Sequence, residues 1–107
     1  MTLRTAQQRK DLCKECPVAR VADTLGDSCT LLIIRDLLHG PKRYSDLETS
    51  LRGISSRTLT KKLALLVEEG LIVKKHTSLR IEYSLTKKGA ALQDVVDAMR
   101  LYGKKYL

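Results

Sequence analysis

The stretch "YSDLETSLRGISSRTLTKKLALLVEEG", residues 44 to 70, decides how this chain folds. Ser45 with Glu48 has the spacing of a capping box, with Tyr44 just before it as a hydrophobic staple. Leu47 and Leu51 give the short helix that follows one apolar side. Gly53 supplies the turn in "RGIS". A longer helix then runs from about 55 to 69 and stops at Gly70. On that helix Leu59, Leu63 and Leu66 fall on one face, with Val67 at its edge. At about 100° per residue, Arg57, Lys61 and Ala64 lie opposite and Thr60 lies at the border. A short capped helix, a glycine turn and a second helix make a helix-turn-helix.

The chain beyond Gly70 extends the unit. In "LIVKKHTSLRIEYSLT", Ile81, Tyr83 and Leu85 alternate with Arg80, Glu82 and Ser84, the pattern of a strand with one buried face. "LIVKK" is its partner, with "HTS" at the hairpin tip, and a hairpin in this place is a wing. Thr86 caps a long last helix, whose apolar stripe is Leu92, Val95, Val96, Met99 and Tyr102. Before the motif, residues 30 to 41 read as an apolar central helix capped by Thr30 and ended by Gly40-Pro41. An earlier helix begins near Pro17, with Cys16 at its N-terminal edge. Residues 1 to 15 form an arm or a short helix. The expected architecture is mainly α with a small β-hairpin wing: a single winged helix-turn-helix domain over 1–107, with extra helices at both ends, the last over 86–107.

Charge points to the partner. Twenty Lys and Arg face twelve Asp and Glu, a net +8 on 107 residues. Such an excess suits an anionic partner, nucleic acid above all, although it also serves plain solubility. In a helix-turn-helix the second helix enters the major groove. Lys61 or Arg57 can donate to guanine O6 and N7 there. Ser55 and Ser56, with the amides at the helix start, can hold a phosphate. Arg43 ahead of the motif and Lys74, Lys75 and Arg80 on the wing complete the candidate DNA-binding set with Thr60. Lys74 and Lys75 equally serve to blunt an edge strand.

The N-terminus is polar and the longest apolar run, "LLII", is too short to span a bilayer, so a cytoplasmic protein without membrane contact is expected. No glycine-rich phosphate loop, catalytic carboxylate pair or Ser-His-Asp set is present, so neither an enzyme nor a cofactor is expected.

"LCKECPV" raises a separate question. Cys13 and Cys16 stand three apart, and Cys29 makes an odd third thiol. Structural zinc needs about four ligands, usually in two close pairs, and no second pair exists. A thioredoxin-like enzyme needs a βαβ frame that is missing here. Two readings stay open. Lys14, Arg20 and a helix start beside Cys16 favour a reactive thiolate, which makes Cys16 a sensor with Cys13 as a resolving partner. Alternatively all three cysteines are bland, with Cys29 a small buried hydrophobe.

"CPV", "TLLIIRDLLHGPKRYSDL", "GISSRTLTKKLALLVEEGLI" and "RIEYSLTKKGAAL" occur in order over residues 16 to 103, and together they resemble the HxlR-type winged-helix transcriptional regulators. The resemblance implies a homodimer joined through its terminal helices and an inverted-repeat operator in double-stranded DNA. It also implies, for some members, a response to electrophiles or oxidants through the "CPV" cysteine, here Cys16. Cys29 stands where the family usually has tryptophan, and the wing lacks the usual proline-containing tip. The competing reading is a basic structural or RNA-binding winged helix without a regulatory role.

Overall fold

The structure, a computed structural model, describes residues 16–107. Cys13, Lys14 and the N-terminal arm lie outside the described residues. The elements in order are α1 (Pro17–Thr24), α2 (Ser28–Leu37), α3 (Tyr44–Ser50), α4 (Ser56–Glu68), β1 (Ile72–His76), β2 (Ile81–Leu85), α5 (Lys87–Ala90) and α6 (Gln93–Tyr106). This is a winged helix-turn-helix, as the periodicities require.

The core is aliphatic apart from Tyr83. Ile33, Ile34 and Leu37 of α2 meet Leu47 and Leu51 of α3, Leu59, Leu63 and Leu66 of α4, and Leu71, Ile72 and Tyr83 of the wing. Because α2 supplies the centre, its apolar character all round follows from packing on several sides. Its start differs from expectation. Asp27, not Thr30, is the N-cap, and its carboxylate accepts from the Thr30 amide at 2.8 Å. Thr30 itself is buried one turn into the helix.

The first helix of the motif is capped two residues before the expected box. Its boundary is Arg43, whose amide donates to Asp46 Oδ2 at 3.0 Å. Ser45 and Glu48 fit the same i, i+3 pattern, but the chain enters earlier. Lys42 is pinned to Tyr83 by two backbone bonds of 2.8 and 2.9 Å, so the helix must begin directly after it.

The wing is antiparallel, in register Ile72↔Leu85, Lys74↔Tyr83 and His76↔Ile81. His76 is therefore a strand residue, and the tip is Thr77 to Arg80. Thr77 closes that tip through its amide to the Arg80 carbonyl at 2.8 Å. Ile81 is exposed, so the apolar alternation of β2 is buried only from Tyr83 onward.

The last helix is two pieces. Thr86 caps as expected, accepting from the Gly89 amide at 3.1 Å, but it caps only the four-residue α5. Gly89 lies against the Leu71 carbonyl, and α6 starts afresh after Leu92. Among the described residues no helix is long and apolar enough to cross a membrane.

Candidate nucleic-acid interface

Helix α4 carries the candidate surface, and its placement follows from its own sequence. Ser55 is the N-cap: its hydroxyl accepts from the Thr58 amide at 3.1 Å and donates to Thr58 Oγ1 at 2.9 Å. Leu59, Leu63 and Leu66 turn into the core and are almost fully enclosed. The opposite face follows from helix geometry, and Arg57, Thr60, Lys61 and Ala64 are all exposed. Gly53, at φ 90°, sits in the left-handed region that a side chain would strain, which makes the turn before α4 possible.

The predicted residues divide by what already holds them. Arg57, Lys61, Lys74 and Lys75 have no intramolecular ion pair among the described residues. Arg43 pairs with Asp46 at 3.6 Å, and Arg80 pairs with Glu82 at 2.6 Å. An anionic partner must compete for those two guanidinium groups. The serine hydroxyls are also engaged. Ser55 is spent on the cap, and Ser56 donates to Glu48 Oε2 at 3.1 Å. The Ser56 and Arg57 amides, the first two of the helix, stand outside that cap. Register separates the two wing lysines. Lys74 shares the face of Ile72 and Tyr83, whereas Lys75 shares the face of Glu82, so they point to opposite sides of the hairpin.

Two contacts were not foreseen from the sequence. Tyr44 is a strap between the two helices of the motif: its hydroxyl donates to the Ser56 carbonyl at 3.0 Å and lies 3.2 Å from Thr60 Oγ1. Lys62, next to the outward Lys61, turns inward to Asp27 at 2.5 Å. Burial pushes the Asp27 carboxyl up, but hydrogen bonds from Lys62 and the Thr30 amide outweigh it and hold the group below its ordinary range. Only the local half of this arrangement, an Asp three residues before Thr30, was available to capping patterns.

Cys16 is the N-cap of α1. It is exposed, and its sulfur accepts from the Ala19 amide at 3.4 Å. Cys29 is half-buried beside an open groove of about 520 Å³, which Leu32, Leu51, Ile54, Arg35 and Arg52 also line. Among the described residues, no group of three or more His, Cys, Asp or Glu is arranged to hold a metal ion.

Comparison with known proteins agrees with this geometry. An HTH-type transcriptional regulator of Synechocystis is 36% identical, over 94% of this chain and 80% of the relative. The reduced form of the transcriptional regulator YodB from Bacillus subtilis superposes with a TM-score of 0.74 at 29% identity. The match covers 85% of this chain and 93% of that one. YodB has also been solved with quinone bound. The redox regulator HypR in its oxidised form superposes with a TM-score of 0.78 at 26% identity, over 86% of this chain and 98% of that one. Residues 24–107 match the HxlR-like helix-turn-helix family, and the chain belongs to that family of HTH-type transcriptional regulators.

Proposed function

We propose that the chain is a dimeric, sequence-specific regulator that reads an inverted-repeat operator in duplex DNA with α4. One observation carries the reading: a capped helix that buries Leu59, Leu63 and Leu66 and leaves Arg57, Thr60, Lys61 and Ala64 open. Long basic side chains can reach a base edge or phosphate, and Ala64 permits close approach. The amides of Ser56 and Arg57, rather than the serine hydroxyls, are the phosphate donors in this reading. Lys74 and Lys75 diverge, so only one of them can face the duplex beside α4. Arg43 and Arg80 join once their carboxylate partners release them. Such a role places the protein with the genome, in the cytoplasm.

Lys61→Ala is expected to weaken operator binding by roughly 5–150-fold, the worth of about 1–3 kcal/mol for a good base contact. Its thermal stability should stay within about 0.5 kcal/mol of wild type, since the side chain is exposed. Leu63→Ala should show the converse, a loss of about 2–5 kcal/mol in stability. Gel-shift titration at physiological salt, beside urea unfolding, separates the two. Unchanged affinity in Lys61→Ala would show that the assigned face is wrong.

The same reading gives Cys16 the sensing role. Its exposure at the start of α1 supports this, as do the oxidised and quinone-bound forms of the similar regulators. Modifying the Cys16 thiol alters the first turn of α1 and so the spacing of two recognition helices in a dimer. Diamide or a quinone should lower wild-type operator affinity by roughly 5–150-fold, the range of ordinary allosteric coupling. Cys16→Ser should not respond. A serine variant that responds as strongly as wild type moves the role to another residue.

A further inference from the structure

The two polar contacts that hold α4 from the sides have a joint consequence. The leucine stripe fixes how deep the helix sits, but one row of aliphatic side chains resists rotation about the helix axis poorly. Thr60 and Lys62 flank that stripe on opposite sides, since each residue advances about 100°. On one flank, Tyr44 grips the Ser56 carbonyl and Thr60 Oγ1, and Glu48 takes the Ser56 hydroxyl. On the other, Lys62 Nζ reaches Asp27, a residue 35 positions away in sequence. Asp27 is itself fixed, because its other oxygen caps α2 through the Thr30 amide and Thr30 is buried. The Lys62 side chain is only 15% exposed, although its neighbour Lys61 is open.

We propose that Lys62 is a positioning residue for DNA reading: it touches no nucleic acid but, through Asp27, sets the rotation of α4 that aims Arg57 and Lys61. This rests on the reading of α4 as the recognition helix. Loss of the pair frees one flank while the leucines keep the helix docked. The protein then still binds duplex DNA through its charge, but its base-reading side chains no longer arrive in register.

The test compares wild type, Lys62→Gln, Lys62→Arg and Asp27→Asn on two probes, across a range of salt. One probe is a duplex that the wild-type protein selects from a randomised library. The other is a scrambled duplex of equal length. Asn caps a helix as well as Asp, so Asp27→Asn removes the ion pair and keeps the α2 start. Lys62→Gln and Asp27→Asn should each lower the specific-to-nonspecific ratio about tenfold, the cost of roughly one lost base contact. Their salt slopes should match wild type, because no phosphate contact is lost. Lys62→Arg, which keeps the charge, should restore the ratio. A slope reduced by about one in Lys62→Gln would make Lys62 a phosphate contact and overturn the proposal. So would an unchanged ratio in both variants, or melting curves showing that any loss only tracks the unfolded fraction. If wild type selects no duplex at all, the reading of α4 fails, and the inference fails with it. If wild type selects one and the variants match it, the inference alone fails.

Discussion

Gly89→Ala is expected to destabilise the chain by about 2 kcal/mol or more and to lower its melting temperature by roughly 10 °C. A Cβ at this position would lie 2.1 Å from the Leu71 carbonyl oxygen and 3.0 Å from Leu85 Cδ2. The carbonyl cannot move aside freely, because it accepts the Thr86 amide at 3.0 Å. Thr86 in turn donates to the Gly70 carbonyl at 2.6 Å and caps α5. Relieving the clash therefore breaks the junction between the wing and the last helices. Alanine's helix propensity contributes only about 0.5–1 kcal/mol in the other direction, so the clash wins. Gly103 is the matched control. It lies in α6, and a Cβ added there would meet nothing within 4 Å, so Gly103→Ala should stabilise by about 0.5–1 kcal/mol. Thermal unfolding of the two variants checks this. A Gly89→Ala protein that melts at or above wild type would contradict the packing described.

Met99→Glu is expected to leave the fold intact and to abolish the proposed dimer. The expected α6 stripe splits in the structure. Val96 is 7% exposed and belongs to the chain's own core, with Leu92 packed against that core. Met99 and Tyr102 are 48% and 61% exposed, and Leu101 and Tyr106 are open as well. The Tyr102 and Tyr106 rings pack at a tilt of 41° with centroids 5.0 Å apart, which extends this outer apolar surface toward the C-terminal end. A second copy covering it would bury the patch and pair two recognition helices. A glutamate at Met99 puts a charge in that seam but not in the core, whereas Val96→Glu would unfold the monomer and report nothing about assembly. Sedimentation of Met99→Glu should give a monomer. Operator affinity should fall about 10²–10⁴-fold, because two half-sites then bind independently. Wild type and variant sedimenting alike would rule out this surface as the dimer seam.

The helix-turn-helix and wing were legible because local rules set them. Thr86, Gly53 and Gly70 each do what their types do at a cap or turn, and the leucine spacing of α4 assigns both of its faces. What was illegible depends on contacts between distant segments. Ser45 and Glu48 make the better capping box on paper, since the Arg43 side chain has no acceptor and only Asp46 bonds back. The choice is made by Lys42 pairing with Tyr83, 41 residues on. The single helix expected after Thr86 is interrupted between Ala90 and Gln93, just past the close approach of Gly89 to the Leu71 carbonyl, which periodicity cannot register. Leucine spacing already sends Lys61 outward and Lys62 to the flank, but that Lys62 finds a partner there depends on Asp27, 35 residues earlier. Lys74 and Lys75 fall on opposite faces by strand alternation alone, and pairing with β2 adds only that Lys74 shares the face of Tyr83.

The most direct test of the central claim, that α4 reads duplex DNA, is footprinting of the wild-type protein on the duplex it selects from a randomised library, with single-stranded DNA and RNA as competitors. Two protected half-sites related by inverted symmetry are expected, about 10 base pairs or a multiple of that apart, with competition far weaker from single strands or RNA than from the selected duplex. Uniform protection with no preferred sequence, or stronger competition by RNA than by the duplex, would contradict it.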